Sequence, residues 1–531
     1  MPTPLSFNRR HFLRHAGALI VASSLIPMKT WASPVFPIDP FQLGVASGDP
    51  SSDGFVLWTR LAPNPVEPLG GLPNEIINVR WEVASDPQFQ RIVQQGTEPA
   101  HPALAHSVHV ELQGLQPRRS YWYRFLAGDA VSPIGQVRTA PALNDTPERI
   151  KLAVAGCHHY EAGYFTAFDY LSREEDLDLV FHYGDYIYET ASGSSRGHGG
   201  LRVQMPERAH IGKEAYTLED YRTRYGQYKS DPHLKAAHAA AAFAITFDDH
   251  EVDNDWAGVH DTRGAPEAEY MARRAAAFQA WYEHMPVRLS QKPNGPDVLA
   301  YRSLQYGQLL RLNLLDTRQY RDDQFCTASQ LKKGHPWCRT ERTPDETLLG
   351  SAQEAWLTKQ IQHDAQWNVL AQQVMLMPQE RRKSLTGNSV VSMDKWSGYP
   401  HARERLVQAL KTLRPHNNIV LSGDLHQYFV GVVPSEEQDV TSTPIATEFL
   451  TTSLTSGGDG SPERPGQEHM LANNPNIAFV NDQRGYQTFE FTPRELRTEL
   501  KVMDRVEVQG GALSTCARFI VEAGNPMPQR G

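Results

Sequence analysis

Four short stretches of this 531-residue chain concentrate side chains that can ligate a metal or move a proton. They are Gly156-Cys157-His158-His159-Tyr160-Glu161, Gly184-Asp185-Tyr186-Ile187-Tyr188-Glu189, Phe247-Asp248-Asp249-His250-Glu251-Val252-Asp253-Asn254 and Ser422-Gly423-Asp424-Leu425-His426. Carboxylates gathered in one place repel one another unless a cation neutralises them, so together these stretches point to a metal centre. Cys157 and Tyr188 must each lose a proton to bind an ion, which favours a strongly acidic one such as ferric iron over magnesium. With Asp185 and His426 they offer sulfur, oxygen and nitrogen to one ion. Asp249, Asp424 and Asn254 offer oxygen alone and suit calcium, magnesium or manganese.

Each stretch directly follows a buried apolar run that reads as a strand, at residues 151–155, 177–183, 242–247 and 419–422. The carboxyl ends of strands are where an α/β sheet builds its sites. Helices are expected between the runs. One spans 162–174 with Phe165, Phe168 and Leu171 inward, and one begins at Thr217 with Asp220. Others follow Asp231-Pro232, span 266–284 and 401–413, and start at a capping box Ser351 to Glu354. Further strands are expected at 300–305, 309–315 and 369–377. From 41 to about 140 the pattern is different: short alternating strands at 54–59, 79–83, 108–112 and 121–125, with turn residues between them and no convincing helix. The expected architecture is multidomain, an all-β sandwich over 38–142 followed by an α/β domain over 148–525. The 139–145 stretch, rich in Ala, Pro and Asn, is the linker.

Residues 1–32 read as a leader rather than as part of the fold. Arg9-Arg10 precedes an apolar stretch over 16–27 and small residues around Ala32-Ser33, which resembles a twin-arginine export signal. The stretch is too short to span a bilayer comfortably, and no later run reads as a membrane helix. The expectation is a periplasmic or secreted protein that meets the twin-arginine (Tat) translocase during export and has no integral membrane association afterwards. A net charge of -9 argues against nucleic acid as a stable partner. Four cysteines are too few to staple the chain; Cys326 and Cys338 enclose a short polar loop that could close as a disulfide after export, and Cys516 has no obvious mate.

The four stretches, in this order, resemble the metallophosphatase superfamily, and their altered forms resemble its PhoD-like alkaline phosphatases and phosphodiesterases. Cys157 stands at the first ligand position, Asp185 and Tyr188 match a Gly-Asp-x-x-Tyr form, and Asp249-His250-Glu251 and Gly423-Asp424-Leu425-His426 complete the series. The resemblance runs from 41 to about 500 and includes Leu43-Gly44-Val45-Ala46-Ser47-Gly48-Asp49-Pro50 and Asp316-Thr317-Arg318-Gln319-Tyr320-Arg321. It implies an αββα catalytic sandwich behind a β-domain, iron (Fe3+) with calcium (Ca2+) as cofactors, and Asp185 as the bridging ligand. The 112–125 segment itself resembles the end of a fibronectin III/Ig-like domain, with Tyr121 at the place of a tyrosine corner.

The implied function is hydrolysis of small-molecule phosphate esters, monoesters or diesters, by a hydroxide activated between two metals. His250 is the candidate to give a proton or hydrogen bond to the phosphoryl or leaving oxygen. Two alternatives stand beside this reading: a phosphodiesterase or phospholipase-D-like enzyme acting on lipid or teichoic-acid diesters, and a calcium-binding adhesion protein. Calcium needs no thiolate or phenolate, so Cys157 with Tyr188 speaks against adhesion. One departure from the superfamily is the lack of a histidine in 369–377, where a further ligand is usual. His158 and His159 cannot both face the site, and neither is assigned. Gly193-Ser194-Ser195-Arg196-Gly197 fits an esterase pattern but lacks the strand and helix of a nucleophile elbow. Arg318 could bind phosphate, although bracing a strand end against an Asp is the stronger expectation.

Overall fold

The computed structural model describes residues 35–193, 205–327, 330, 338–362, 365–381, 390–414, 416–436 and 439–531. The leader and Ser195 lie outside the described residues. Apolar alternation becomes two large sheets packed face to face. The first has ten strands, in the order Gln529–Arg530, Leu513–Glu522, Glu495–Met503, Gly485–Phe491, Ile150–Ala155, Leu179–His182, Ala242–Ile245, Val45–Ser51, Gly54–Arg60 and Ser107–Glu111. The second has seven, in the order Arg302–Tyr306, Leu310–Leu314, Trp367–Ala371, Asn418–Ser422, Asp439–Leu450, Tyr428–Glu436 and Ile477–Asn481.

Residues alternate between two faces along each central strand, and both faces are apolar because both are covered. Leu152, Val154 and Phe181 of the first sheet meet Leu312, Val369, Ile419 and Leu421 of the second in one core. Their neighbours Ala153, Ala155, Val180 and Phe243 point the other way, against Phe168 of helix Thr166–Ser172, Tyr221 and Tyr225 of Leu218–Lys229, and Phe278 and Trp281 of Glu267–His284. Leu370 and Val420 likewise meet Leu357 of Gly350–Ile361 and Leu406 and Leu410 of Pro400–Leu413. The layers therefore run helices, sheet, sheet, helices.

Three features differ from expectation. The N-terminal β segment is not closed on itself: Val45–Ser51, Gly54–Arg60 and Ser107–Glu111 extend the ten-stranded sheet, with Ser47 and Gly48 pairing in parallel with Ala242 and Phe243. Its other strands form a five-stranded sheet that packs Val79, Val83, Tyr123 and Phe125 against Phe55, Leu57 and Val110. Strand alternation marks a strand but not its partner, so it does not reveal the shared sheet. The capping box at Ser351 is also absent. The helix begins at Gly350 behind Leu349 with no side-chain cap, and the nearby Thr347 Oγ1 accepts the Gly350 N–H at 2.8 Å and donates to Glu354 at 2.9 Å. Last, the strands from Tyr428 onwards, not among those expected, complete both sheets.

The helix at 218 carries the expected cap, Thr217 accepting from Asp220 N–H. Cys326 and Cys338 are joined as a disulfide, while Cys157 and Cys516 are free. Gln116 N–H donates to Tyr121 Oη at 3.0 Å, the contact a tyrosine corner makes. No helix of the described residues is long and apolar enough to cross a membrane.

Candidate metal centre

Three parallel neighbours of the ten-stranded sheet, Ile150–Ala155, Leu179–His182 and Ala242–Ile245, end at Cys157, Asp185 and the Asp248-Asp249-His250 run. Asn418–Ser422 of the facing sheet ends at Asp424 and His426, so one site spans the carboxyl ends of both sheets. Cys157, Asp185, Asp424 and His426 all have left-handed backbones, with φ of 50, 52, 69 and 58°. Such conformations cost energy in non-glycine residues and mark places where the surroundings hold a side chain in a required direction. The glycines before two of them have a steric reason. A Cβ at Gly156 or Gly423 would come within 2.4 or 2.3 Å of the Tyr183 ring, which packs between the two sheets' ends.

Asp185 lies at the centre. Its Oδ2 accepts from Cys157 Sγ at 3.3 Å and from Tyr188 Oη at 2.8 Å, and His426 Nε2 stands 4.0 Å away. Its Oδ1 accepts from the His250 main-chain N–H at 3.3 Å. Cys157, Asp185 and His426 bring ligand atoms within 4.8 Å of one another; so do Asp185, Asp249 and His250, and Asp248, Asp249 and Asp424. The sequence-selected Cys157, Asp185, Tyr188, Asp249, Asp424, His426 and His250 thus converge. Asn254 joins through its main chain, its N–H donating to Glu189 Oε1 at 3.1 Å.

Protonation follows from burial and neighbours. Burial, then Asp185 and Asp248, push the Cys157 thiol well above its ordinary pKa, and burial with Asp185 does the same to the Tyr188 phenol. Burial raises Asp185 to about 6 against the pull of His250, and Asp248 to about 7 against that of Arg318. Burial opposes the Asp249 charge, but Arg318 and His250 outweigh it and hold this carboxyl below the usual range. Burial and Arg484 keep His426 neutral, the form that ligates. Burial alone would also strip His250 of its proton, yet Glu189, Asp185 and Asp249 reverse the sign and raise it.

The donor set fits a metal. A thiol and a phenol share one carboxylate oxygen, the buried Asp248 Oδ2 has no hydrogen-bond partner among the described residues, and the buried Asp249 Oδ1 has no hydrogen bond there, only Arg318 Nη2 at 3.6 Å. Buried acceptors left in this way are costly unless a cation meets them.

Several supports surround these residues, and of them only the bracing of an Asp by Arg318 is expected from the sequence. Glu189 Oε2 holds His250 Nδ1 at 2.7 Å, and Ser456 Oγ lies 2.6 Å from Tyr188 Oη while donating to the Cys157 carbonyl at 2.7 Å. Arg318 braces rather than faces solvent: Nε meets Asp248 at 2.5 Å, Nη1 meets Asp394 at 2.7 Å and Nη2 meets Asp424 at 2.9 Å. Lys395 reaches Asp394 at 3.1 Å and touches Asp424. His158 turns away into an aromatic cluster of Phe165, Phe168 and Tyr186, and His159 stacks on His210 and packs tilted against Tyr188. His159, Glu161 and His210 also gather ligand atoms, but both His210 nitrogens are engaged, by the Thr190 carbonyl and Tyr228 Oη at 2.9 Å each. His106 and His109 are unrelated to any of this: His109 stacks on Tyr282 and its Nε2 meets the Tyr282 and Met285 carbonyls.

Comparison with known proteins identifies the family. The family model for PhoD-like phosphatase covers residues 152–500, and that for the PhoD-like phosphatase N-terminal domain covers 29–141. Alkaline phosphatase D of Bacillus subtilis (strain 168) is 43% identical over 525 residues, 97% of this chain and 88% of that one. A solved structure described as the structure of PhoD superposes with a TM-score of 0.86 at 43% identity, covering 94% of this chain and 93% of its own. With the strand-end residues converging as they do and two family models spanning most of the chain, the protein belongs to the PhoD-like phosphatase family.

Proposed function

We propose that this phosphate ester hydrolase holds two metal ions at the junction of its sheets, iron at Cys157, Tyr188, Asp185 and His426, and calcium at Asp249, Asp424 and Asn254, with Asp185 shared. The observation that carries the reading is the convergence of Cys157 Sγ and Tyr188 Oη on one Asp185 oxygen, at 3.3 and 2.8 Å. A thiol proton and a phenol proton there are what a trivalent ion would displace. Ions bound at such a site supply positive charge to a phosphoryl group and lower the pKa of an attacking water.

The chain's own residues do the rest. Arg318 aims Asp248, Asp249 and Asp424 from behind. Glu189 fixes the His250 ring through Nδ1 and favours its protonated form, which suits donation of a proton or hydrogen bond to the phosphoryl or leaving oxygen. Tyr188, 4.2 Å from the His250 ring centre, backs the same ring. The N-terminal β region is read as a fibronectin III-like sandwich that shares one sheet with the catalytic part, and the protein as one exported to the periplasm or beyond by the twin-arginine pathway.

The test is hydrolysis of paired monoester and diester substrates by the purified protein, alongside elemental analysis and a visible spectrum. Iron and calcium should be present, and phenolate or thiolate on ferric iron should absorb visible light. A colourless, iron-free and fully active preparation would refute the metal assignment.

A further inference from the structure

Both oxygens of Asp424 are occupied by resident cations. Oδ1 accepts from Arg318 Nη2 at 2.9 Å, and Oδ2 is in contact with Lys395 Nζ. A carboxylate oxygen can take a metal beside a hydrogen bond, but an ion at Asp424 would set a third positive charge on one carboxylate, and the repulsion favours the departure of one of these cations. Arg318 cannot leave, because it is fully buried and its planar fork is pinned by three carboxylates in three directions. Lys395 can. Its ammonium has two carboxylate partners, Asp394 and Asp424, at the end of a flexible stem.

The position of Lys395 gives the released charge somewhere to go. The side chains of Asp185, Tyr188 and Cys157 are sealed in, whereas His426 is 15% exposed, Lys395 10% and Asp424 9%. The site therefore opens on the Lys395 side, where an incoming anion first arrives. From there the ammonium is also close enough to act electrostatically on Asp249, Asp255 and His426.

We propose that Lys395 is the phosphate-contacting cation of this enzyme: it neutralises Asp424 while that carboxylate lacks a metal, and swings to a phosphate oxygen once the metal takes its place. A compact ammonium is well suited to this, since its three rotatable donors can be redirected from one oxyanion to another. The proposal rests on the phosphate ester reading above, but its first arm does not require activity.

The first arm is titration of the metal-stripped wild type and of Lys395→Met with calcium. Removing the competing cation should leave calcium affinity unchanged or raise it. The second arm is inorganic phosphate as a competitive inhibitor of the fully loaded enzymes. Loss of one charge-assisted hydrogen bond should weaken phosphate by about 10- to 100-fold and raise KM more than it lowers kcat, with Lys395→Arg recovering part of the loss. The third arm uses only the wild type, so it stands if the variants misfold: acylation of Lys395, read by mass spectrometry, should rise on adding calcium and fall again on adding phosphate.

A fall in calcium affinity in Lys395→Met would make Lys395 a support of the carboxylates and overturn the proposal. So would unchanged phosphate inhibition, or labelling indifferent to both ions. If the loaded wild type hydrolyses no phosphate ester, the functional reading fails instead, while the calcium arm still reports whether Lys395 competes with the ion.

Discussion

Arg318→Lys isolates what bracing is worth at this centre, because it keeps the charge and removes the fork. In the native site Nε, Nη1 and Nη2 each serve a different carboxylate, at 2.5, 2.7 and 2.9 Å, and Nη2 also stands 3.6 Å from Asp249. A lysine ammonium at the end of an unbranched stem can face at most two of these oxygens. One or two charged hydrogen bonds are lost, each worth about 1.5–3 kcal/mol, so the metal-stripped protein should lose roughly 1.5–6 kcal/mol. No discount for solvent applies, since the guanidinium is fully buried. Two effects on calcium then compete. Carboxylates left unaimed bind less well, and loss of such supporting contacts typically weakens metal affinity by about 10- to 100-fold. Against this, a positive charge behind the ligands repels the ion, and moving it outwards would help binding. Arg318→Met separates the two: it removes charge and fork together. We expect calcium to bind more weakly to both variants, measured by titration of metal-stripped protein, with thermal unfolding in chelator reporting stability. If Arg318→Met binds calcium more tightly than the wild type, repulsion dominates and the bracing role is wrong.

Asp185→Asn should lose both ions and hydrolysis together, because Asp185 is common to two of the ligand clusters, while Asp249→Asn should mainly weaken the oxygen-rich site; elemental analysis decides, and full occupancy in Asp185→Asn would refute the bridge. His250→Ala should retain its metals and lose about 100- to 10,000-fold in turnover, less for esters of nitrophenol, whose leaving oxygen needs little help from a proton. Equal losses for good and poor leaving groups would move His250 to phosphoryl stabilisation, and loss of the metals would end its catalytic role. His109 gives a pH test away from the site. Burial lowers its pKa from 6.5 to about 4, so the unfolded chain takes up a proton first as the pH falls and stability declines below 6.5. At pH 5 this costs up to about 2 kcal/mol; His109→Gln, whose amide can still donate to the Tyr282 and Met285 carbonyls, should lose less stability between pH 8 and 5 by that amount in urea unfolding.

Local chemistry makes the ligand residues legible. An apolar strand announces itself by its run of buried residues, and its carboxyl end is read from the same few residues, so Cys157, Asp185, Tyr188, Asp249, His250, Asp424 and His426 all stand out in the amino-acid sequence alone. Even Gly156 and Gly423 follow this logic, since each stands one residue before a ligand. Contacts across long sequence distance are not legible in that way. That Arg318 braces an Asp is expected from its own motif, but its partners Asp248 and Asp424 lie 70 and 106 residues away and are not identifiable from that neighbourhood. Lys395 and Ser456 sit in stretches with no strand-end pattern, yet tertiary structure sets one on Asp424 and the other on Tyr188. Glu189 is visible only as the tail of a motif; that it holds His250, 61 residues on, depends on two adjacent parallel strands. The same limit hides the shared sheet. Val45–Ser51 is buried almost throughout and carries no alternation to mark it as a strand, and the pairing of its Ser47 and Gly48 with Ala242 and Phe243 depends on which exposed edge the folded catalytic sheet presents. Periodicity is a property of one segment, whereas pairing, bracing and charge compensation are properties of two or more segments brought together, and only the folded chain brings them there.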